Sequence, residues 1–184
     1  VKGLGEVTYS FLPKAYLPRE FPVNNLTFTY NHDVMETSDR FLPTDKDNVF
    51  TALKWTKVNH MLYYTYFRLL WDREWENNLR LNVRLNHEKD EPTAALFYKP
   101  LDGRGAPSND PSRWLHHLNT TDLTLSLTFQ PGATWMNTKQ RRYMINKDVP
   151  VFSLSHTIGL RGVLGSDYTY NFTEASIYKR FWLG

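Results

Sequence analysis

Leu79-Arg80-Leu81-Asn82-Val83-Arg84-Leu85-Asn86 alternates apolar and polar residues without a break. Successive side chains of an extended strand point to opposite faces. This run therefore places Leu79, Leu81, Val83 and Leu85 on one face, and Arg80, Asn82 and Arg84 on the other. A helix would scatter the same leucines around its circumference. Leu123-Thr124-Leu125-Ser126-Leu127-Thr128-Phe129 repeats the pattern with hydroxyls in place of arginines.

Working outward, similar runs occupy 26–31, 49–57, 62–74, 79–88, 94–100, 151–161 and 168–181. An extended lead-in over 1–23 is stiffened by Pro13, Pro18 and Pro22, since proline keeps to strand edges and turns. The basic stretch 138–146 is a poor strand candidate. Short polar links at 58–60 and 75–78, and the Gly162–Ser166 turn, indicate antiparallel hairpins. The sequence predicts an all-β protein: an antiparallel up-and-down meander of about nine or ten strands, with no helix. Long connections at 36–48 and 101–121 alternate with tight turns at 58–61, 75–78, 89–93 and 162–167.

Composition narrows the class. Among 184 residues, aromatics make up 15%, with 11 Tyr, 11 Phe and 6 Trp, an excess that suits strands and membrane interfaces. Mean hydropathy is −0.54 and no 18-residue apolar run occurs, which excludes a transmembrane helix but not a barrel of half-apolar strands. A net charge of +3, evenly spread, argues against nucleic acid. The absence of cysteine excludes disulfides, zinc–thiolate sites and cysteine nucleophiles. No signal-peptide pattern opens the chain, and we expect residues 1–184 to be a single segment excerpted from something longer.

Alternation alone fits two architectures. In a soluble barrel or sandwich binding an apolar ligand the apolar set points inward; in a membrane barrel the faces reverse. Aromatics near strand ends (Trp55, Tyr63, Trp71, Trp75, Trp135, Tyr168, Tyr170, Phe181 and Trp182) fit interface girdles. The polar faces carry arginines and small hydroxyls rather than the Lys and Glu of a solvent-exposed sheet. Both features favour the membrane.

Several stretches also resemble a known family: Gly3 to Ser10, Pro13 to Phe28, Asn137 to Arg142, Ser155 to Tyr168, and Tyr178 to Gly184. They are similar to uncharacterised Bacteroidota outer-membrane proteins in which a carboxypeptidase-regulatory-like β-sandwich precedes a C-terminal barrel. The resemblance spans nearly all 184 residues and departs most over Leu101 to Leu118. It implies an interior piece of the barrel region, located in the bacterial outer membrane, with no activity or catalytic residues to carry over.

On this reading Leu79, Leu81, Val83, Leu85, Leu123, Leu125, Leu127 and Phe129 face lipid. Arg80, Asn82, Arg84, Thr124, Ser126 and Thr128 face the lumen. An arginine turned into hydrocarbon costs about 2–4 kcal/mol at the midplane, which fixes the register. The expected role is non-enzymatic: a pore, a conduit or an envelope-assembly scaffold. The expected partners are outer-membrane lipid and either the remaining strands of the same barrel or a partner outer-membrane protein.

The chemistry-bearing residues give little else. His116-His117 lacks metal-ligand spacing, and His87-Glu88 is not followed by a second histidine at helical spacing. His156 shares a strand face with Phe152, Leu154 and Ile158 and reads as an interface or packed residue. Asp45-Lys46-Asp47-Asn48 has alternating oxygen ligands but lacks the glycine and distal glutamate of a calcium loop. Asp72 and Glu74 lie about 6–7 Å apart on one strand face, a spacing that glycoside hydrolysis could use. Nearby arginines make salt-bridged carboxylates the simpler account. Lys139-Gln140-Arg141-Arg142-Tyr143 suits phosphates at headgroup level. No metal or cofactor is expected.

Overall fold

The structure is a computed structural model and describes residues 2–12, 23–36, 61–93, 96–101, 104–138 and 142–181. Its strands are β1 (Gly3–Ser10), β2 (Asn24–Glu36), β3 (Met61–Glu74), β4 (Leu79–Pro92), β5 (Leu118–Phe129), β6 (Trp135–Asn137), β7 (Arg142–Met144), β8 (Val151–Gly159) and β9 (Asn171–Tyr178). The only helical elements among the described residues are single 3-10 turns at Pro111–Arg113 and Val163–Gly165. Seven strands form one sheet in the order β1-β2-β3-β4-β5-β8-β9, every neighbouring pair antiparallel, while β6 and β7 pair with each other. The protein is an all-β antiparallel meander. β1 and β9 are the two edges of the described sheet.

Strand limits differ from the sequence expectation in an instructive way. β2, β4 and β5 run several residues past the ends implied by their apolar alternation. Residues 89–93 read as a tight turn, yet the backbone of Lys89 and Asp90 pairs with strands on both sides. Ladder hydrogen bonds belong to the backbone, so neighbours extend a strand whose side chains have lost their alternation. Of the expected strand at 94–100, the described residues 96–100 hold an isolated bridge between Tyr98 and Leu115. The expected strand at 49–57, the calcium-like loop at 45–48, and Trp55 and Trp182 lie outside the described residues.

The two sheet ends differ. At one end a tight β3–β4 turn closes with Asn78 N–H donating to Trp75 O (3.0 Å) and Trp75 N–H to Leu79 O (2.9 Å). Asn78 takes φ 62°, a left-handed conformation its short polar side chain tolerates. The same end carries the β6–β7 hairpin, tied to that turn by Trp135 Nε1–H to Asn78 Oδ1 (2.8 Å) and Asn78 Nδ2–H to Ala133 O (2.9 Å). The long β2–β3 and β4–β5 connections leave from the opposite end, joined there by the β8–β9 turn. Loop length therefore alternates along β2–β5, but not through the rest of the sheet.

Burial is inverted relative to an ordinary core. Among the described residues the buried apolar ones are Val23, Leu62 and Ala133, whereas Asn25, Thr29, Glu74, Asn86, Asp122 and Thr124 are all buried. Leu69, Leu125 and Leu154 are 40–50% exposed, while Thr124 retains 5%. No second layer covers either face among the described residues. The polar side chains shelter one another, while the apolar side chains stand open.

Candidate functional site

The register assembles each face from the alternating runs. Leu79, Leu81, Val83 and Leu85 stand opposite Phe129, Leu127, Leu125 and Leu123. Leu69 and Trp71 extend the apolar set onto β3, Leu26 and Phe28 onto β2, and Phe152, Leu154 and Ile158 onto β8. Arg80, Asn82 and Arg84 stand opposite Thr128, Ser126 and Thr124 on the other face. Each set expected from sequence to share a face does so. Near the tight-turn end, Ala175 opposite Leu154 leaves an apolar groove of ≈ 300 Å³, bordered by Phe129, Phe152 and Ile177.

The polar face is a connected network. Arg80 grips Asp72, with Nε–H donating to Oδ1 at 2.8 Å and Nη2–H to Oδ2. Asn82, with its amide nitrogen turned toward the carboxylate, donates to Asp72 Oδ1 at 2.7 Å. Glu74 stands opposite Arg80 on the same face. These carboxylates are thus held beside a guanidinium rather than flanking an open cleft. Higher up, Arg84 Nη2–H donates to Thr124 Oγ1 (3.1 Å), and the hydroxyls of Thr124 and Thr157 are 2.9 Å apart. The hydroxyls of Ser126 and Ser155 repeat that contact at 2.8 Å. Arg68 lies over the Tyr66 ring at 4.7 Å. Among the described residues, Arg68 Nε, Arg84 Nε and Asn86 Oδ1 are buried without a hydrogen-bond partner.

One close approach was not legible in the sequence. A Cβ on Gly159 would strike the Tyr170 ring, so the ring packs against bare backbone. Tyr170 Oη–H then reaches Asp122 Oδ2 at 3.3 Å, on the polar face. Tyr170 was expected among the girdle aromatics; beside Gly159 its ring lies on the polar face. Trp71, Trp75 and Trp135 do gather toward the tight-turn end, with Arg73 over Trp75 at 5.0 Å and Trp71 Nε1–H donating to Asn24 Oδ1 at 3.1 Å.

The remaining candidates stay apart. His116 meets the edge of Phe97 (4.9 Å) in the β4–β5 connection, where Phe97 also meets Trp114. No group of three or more metal-ligating side chains forms among the described residues. In the same connection, the Ser112 hydroxyl and N–H hold the Asp110 carboxyl below its ordinary pKa. The tip of the basic stretch 138–146 lies outside the described residues.

Fold and faces define a class: a single antiparallel meander sheet with one polar and one apolar face. The chain belongs to the family described as the C-terminal domain of a family of unknown function, DUF5686, whose model matches residues 15–184. No curated protein and no solved structure matches it.

Proposed function

We infer that this domain is a stretch of outer-membrane β-barrel wall, non-enzymatic, whose polar face lines a hydrated interior. The observation that carries the reading is the inverted burial: Leu125 and Leu154 stand 47% and 50% exposed, while Thr124, Asn86 and Asp122 are buried. In water such a face would be an aggregation liability, since monomeric soluble proteins rarely expose a contiguous apolar patch beyond a few hundred Å². In a bilayer it is the expected outer surface, with polar residues in the lumen. The Bacteroidota resemblance supports the same location. The partners are outer-membrane lipid and further strands at β1 and β9, because unpaired edges cannot face hydrocarbon. The tight β3–β4 turn suits the periplasmic end, and the long β2–β3 and β4–β5 connections the cell surface. The role is a conduit or an envelope-assembly scaffold.

Spin labels placed singly at positions 80 to 85, in a chain that has no native cysteine, test this. Labels at 81, 83 and 85 should meet lipid-soluble oxygen, and labels at 80, 82 and 84 a water-soluble quencher. Odd positions shielded from both, with even positions in water, would transfer the leucine face to a soluble core around an apolar ligand.

A further inference from the structure

Three histidines interrupt the apolar face, and each does so in the same way. His32 Nδ1 lies 2.7 Å from Thr65 Oγ1, His87 Nδ1 2.9 Å from Thr121 Oγ1, and His156 Nδ1 2.7 Å from Thr173 Oγ1. In every case the two residues are direct cross-strand partners, on β2–β3, β4–β5 and β8–β9. Thr121 fixes the roles in its pair. Its hydroxyl hydrogen goes to Val163 O (2.9 Å), so its oxygen accepts from His87 Nδ1–H. Nε2 is then the proton-accepting nitrogen of that ring. His32 stacks on Tyr63 and His87 on Phe67, with centroids 6.2 and 6.4 Å apart.

The pairs do not share a hydrogen-bonded row. His32 and Thr65 are level with Lys89, His87 lies two residues lower on β4, and His156 is level with Leu125 and Val83. From β2 to β8 the line therefore descends six residues, Lys89 to Val83, over four strand spacings. At about 3.3 Å per residue and about 4.8 Å per strand, that is roughly 20 Å down over roughly 19 Å across, an inclination of about 45°. Barrel strands tilt by about 35–45° from the axis. A line inclined this way to the strands runs level around a barrel. The lower limit of the apolar face slants in the same sense: β3 reaches Arg73 opposite Leu81, while β4, β5 and β8 continue through Leu79, Phe129 and Phe152.

We propose that the three His–Thr pairs form one level belt at a membrane boundary and take the phosphates of lipid headgroups there. This rests on the barrel-wall reading above. Below the belt the face is Leu85, Leu123, Leu69 and Phe28; above it on β4 and β5 stand Lys89, Glu91 and Asn119. An imidazole that takes a second proton becomes a cation with donors on both nitrogens, one held by threonine and one turned to an anion. Glu91, the carboxylate beside this line, is engaged by Lys89 at 2.5 Å.

Depth measurements on His32→Cys, His87→Cys and His156→Cys, spin-labelled in phosphatidylcholine–phosphatidylglycerol vesicles, test the belt. The three labels should agree in depth to about 3 Å, one residue's rise, despite their offset along the strands. A spread approaching about 20 Å would overturn the belt. Labels at Val83 and Leu125 separate the two readings. If these reach oxygen while the three depths scatter, only the belt fails; if these are shielded too, the barrel wall fails with it. Spin-labelled phosphatidylglycerol reports the headgroup contact. Its preference over phosphatidylcholine should fall at least about fivefold in the His32→Gln/His87→Gln/His156→Gln variant. An unchanged preference would overturn the phosphate assignment.

Discussion

Strands β4 and β5 at the centre of the sheet, and β9 at its edge, follow different rules. On β4 and β5 every residue from Leu79 to Leu85, and from Leu123 to Phe129, obeys its face. On β9 the apolar face carries Asn171, Thr173, Ala175 and Ile177, while Phe172 shares the polar face with Glu174 and Ser176. All of β9 is exposed. Segregation is therefore not a property of strands as such. A side chain between two neighbouring strands meets one environment throughout, and a single misfit there strands a charge or a leucine. β9 has one neighbour among the described residues.

That contrast gives the largest predicted effects. Val83→Arg, in the middle of the apolar face, should lower folding stability in vesicles by about 2–4 kcal/mol, whereas Thr173→Arg, on β9 at the height of the proposed belt, should cost about 0–1 kcal/mol. Urea titration of both variants in the same lipid measures the difference, and equal costs would erase the distinction between centre and edge. Gly159→Ala comes next. Its Cβ would strike the Tyr170 ring, and displacing that ring breaks the contact to Asp122. The expected loss is about 1–3 kcal/mol. Tyr170→Ala in the same chain should recover part of it, giving a coupling energy outside the roughly 0.3–0.5 kcal/mol of additive sites. Full additivity would mean that the ring does not rest on Gly159.

How much of this was legible follows from what alternation encodes. Leu79 to Asn86 and Leu123 to Phe129 carry their own face assignments, because period-two chemistry is local. The all-β class and the hairpin at 75–78 follow directly. Strand ends do not: Lys89 and Asp90 are held by neighbours remote in sequence. The face network needed register as well. Asp72 meeting Arg80 was foreseeable across a four-residue turn, but Asp122 meeting Tyr170 joins residues 48 apart. His156 was visible on the face of an apolar run, yet the threonine that each histidine finds is fixed only by pairing.

Two smaller effects sharpen the picture at the central hairpin. Asp72→Asn weakens the grip of Arg80. Because that guanidinium is 46% exposed, solvent screening limits the loss to about 0.5–1 kcal/mol. Asn78→Gly is the finest test, since it sets backbone against side chain at one residue. Glycine adopts φ near 62° freely, which relieves whatever cost asparagine bears there. The same change removes the contacts to Trp135 Nε1 and Ala133 O, each worth about 0.5–1.5 kcal/mol when partly buried. The two terms oppose, leaving a net loss of about 0.5 kcal/mol. Stability alone would scarcely resolve it, but tryptophan fluorescence would. Trp135 should redden and become quenchable as the β6–β7 hairpin loosens from the turn, while the β3–β4 ladder keeps its hydrogen-exchange protection. If Trp135 is unmoved, the small sheet is held by something other than Asn78. If the ladder loosens too, the hairpin is a brace for the central strands rather than an appendage to them.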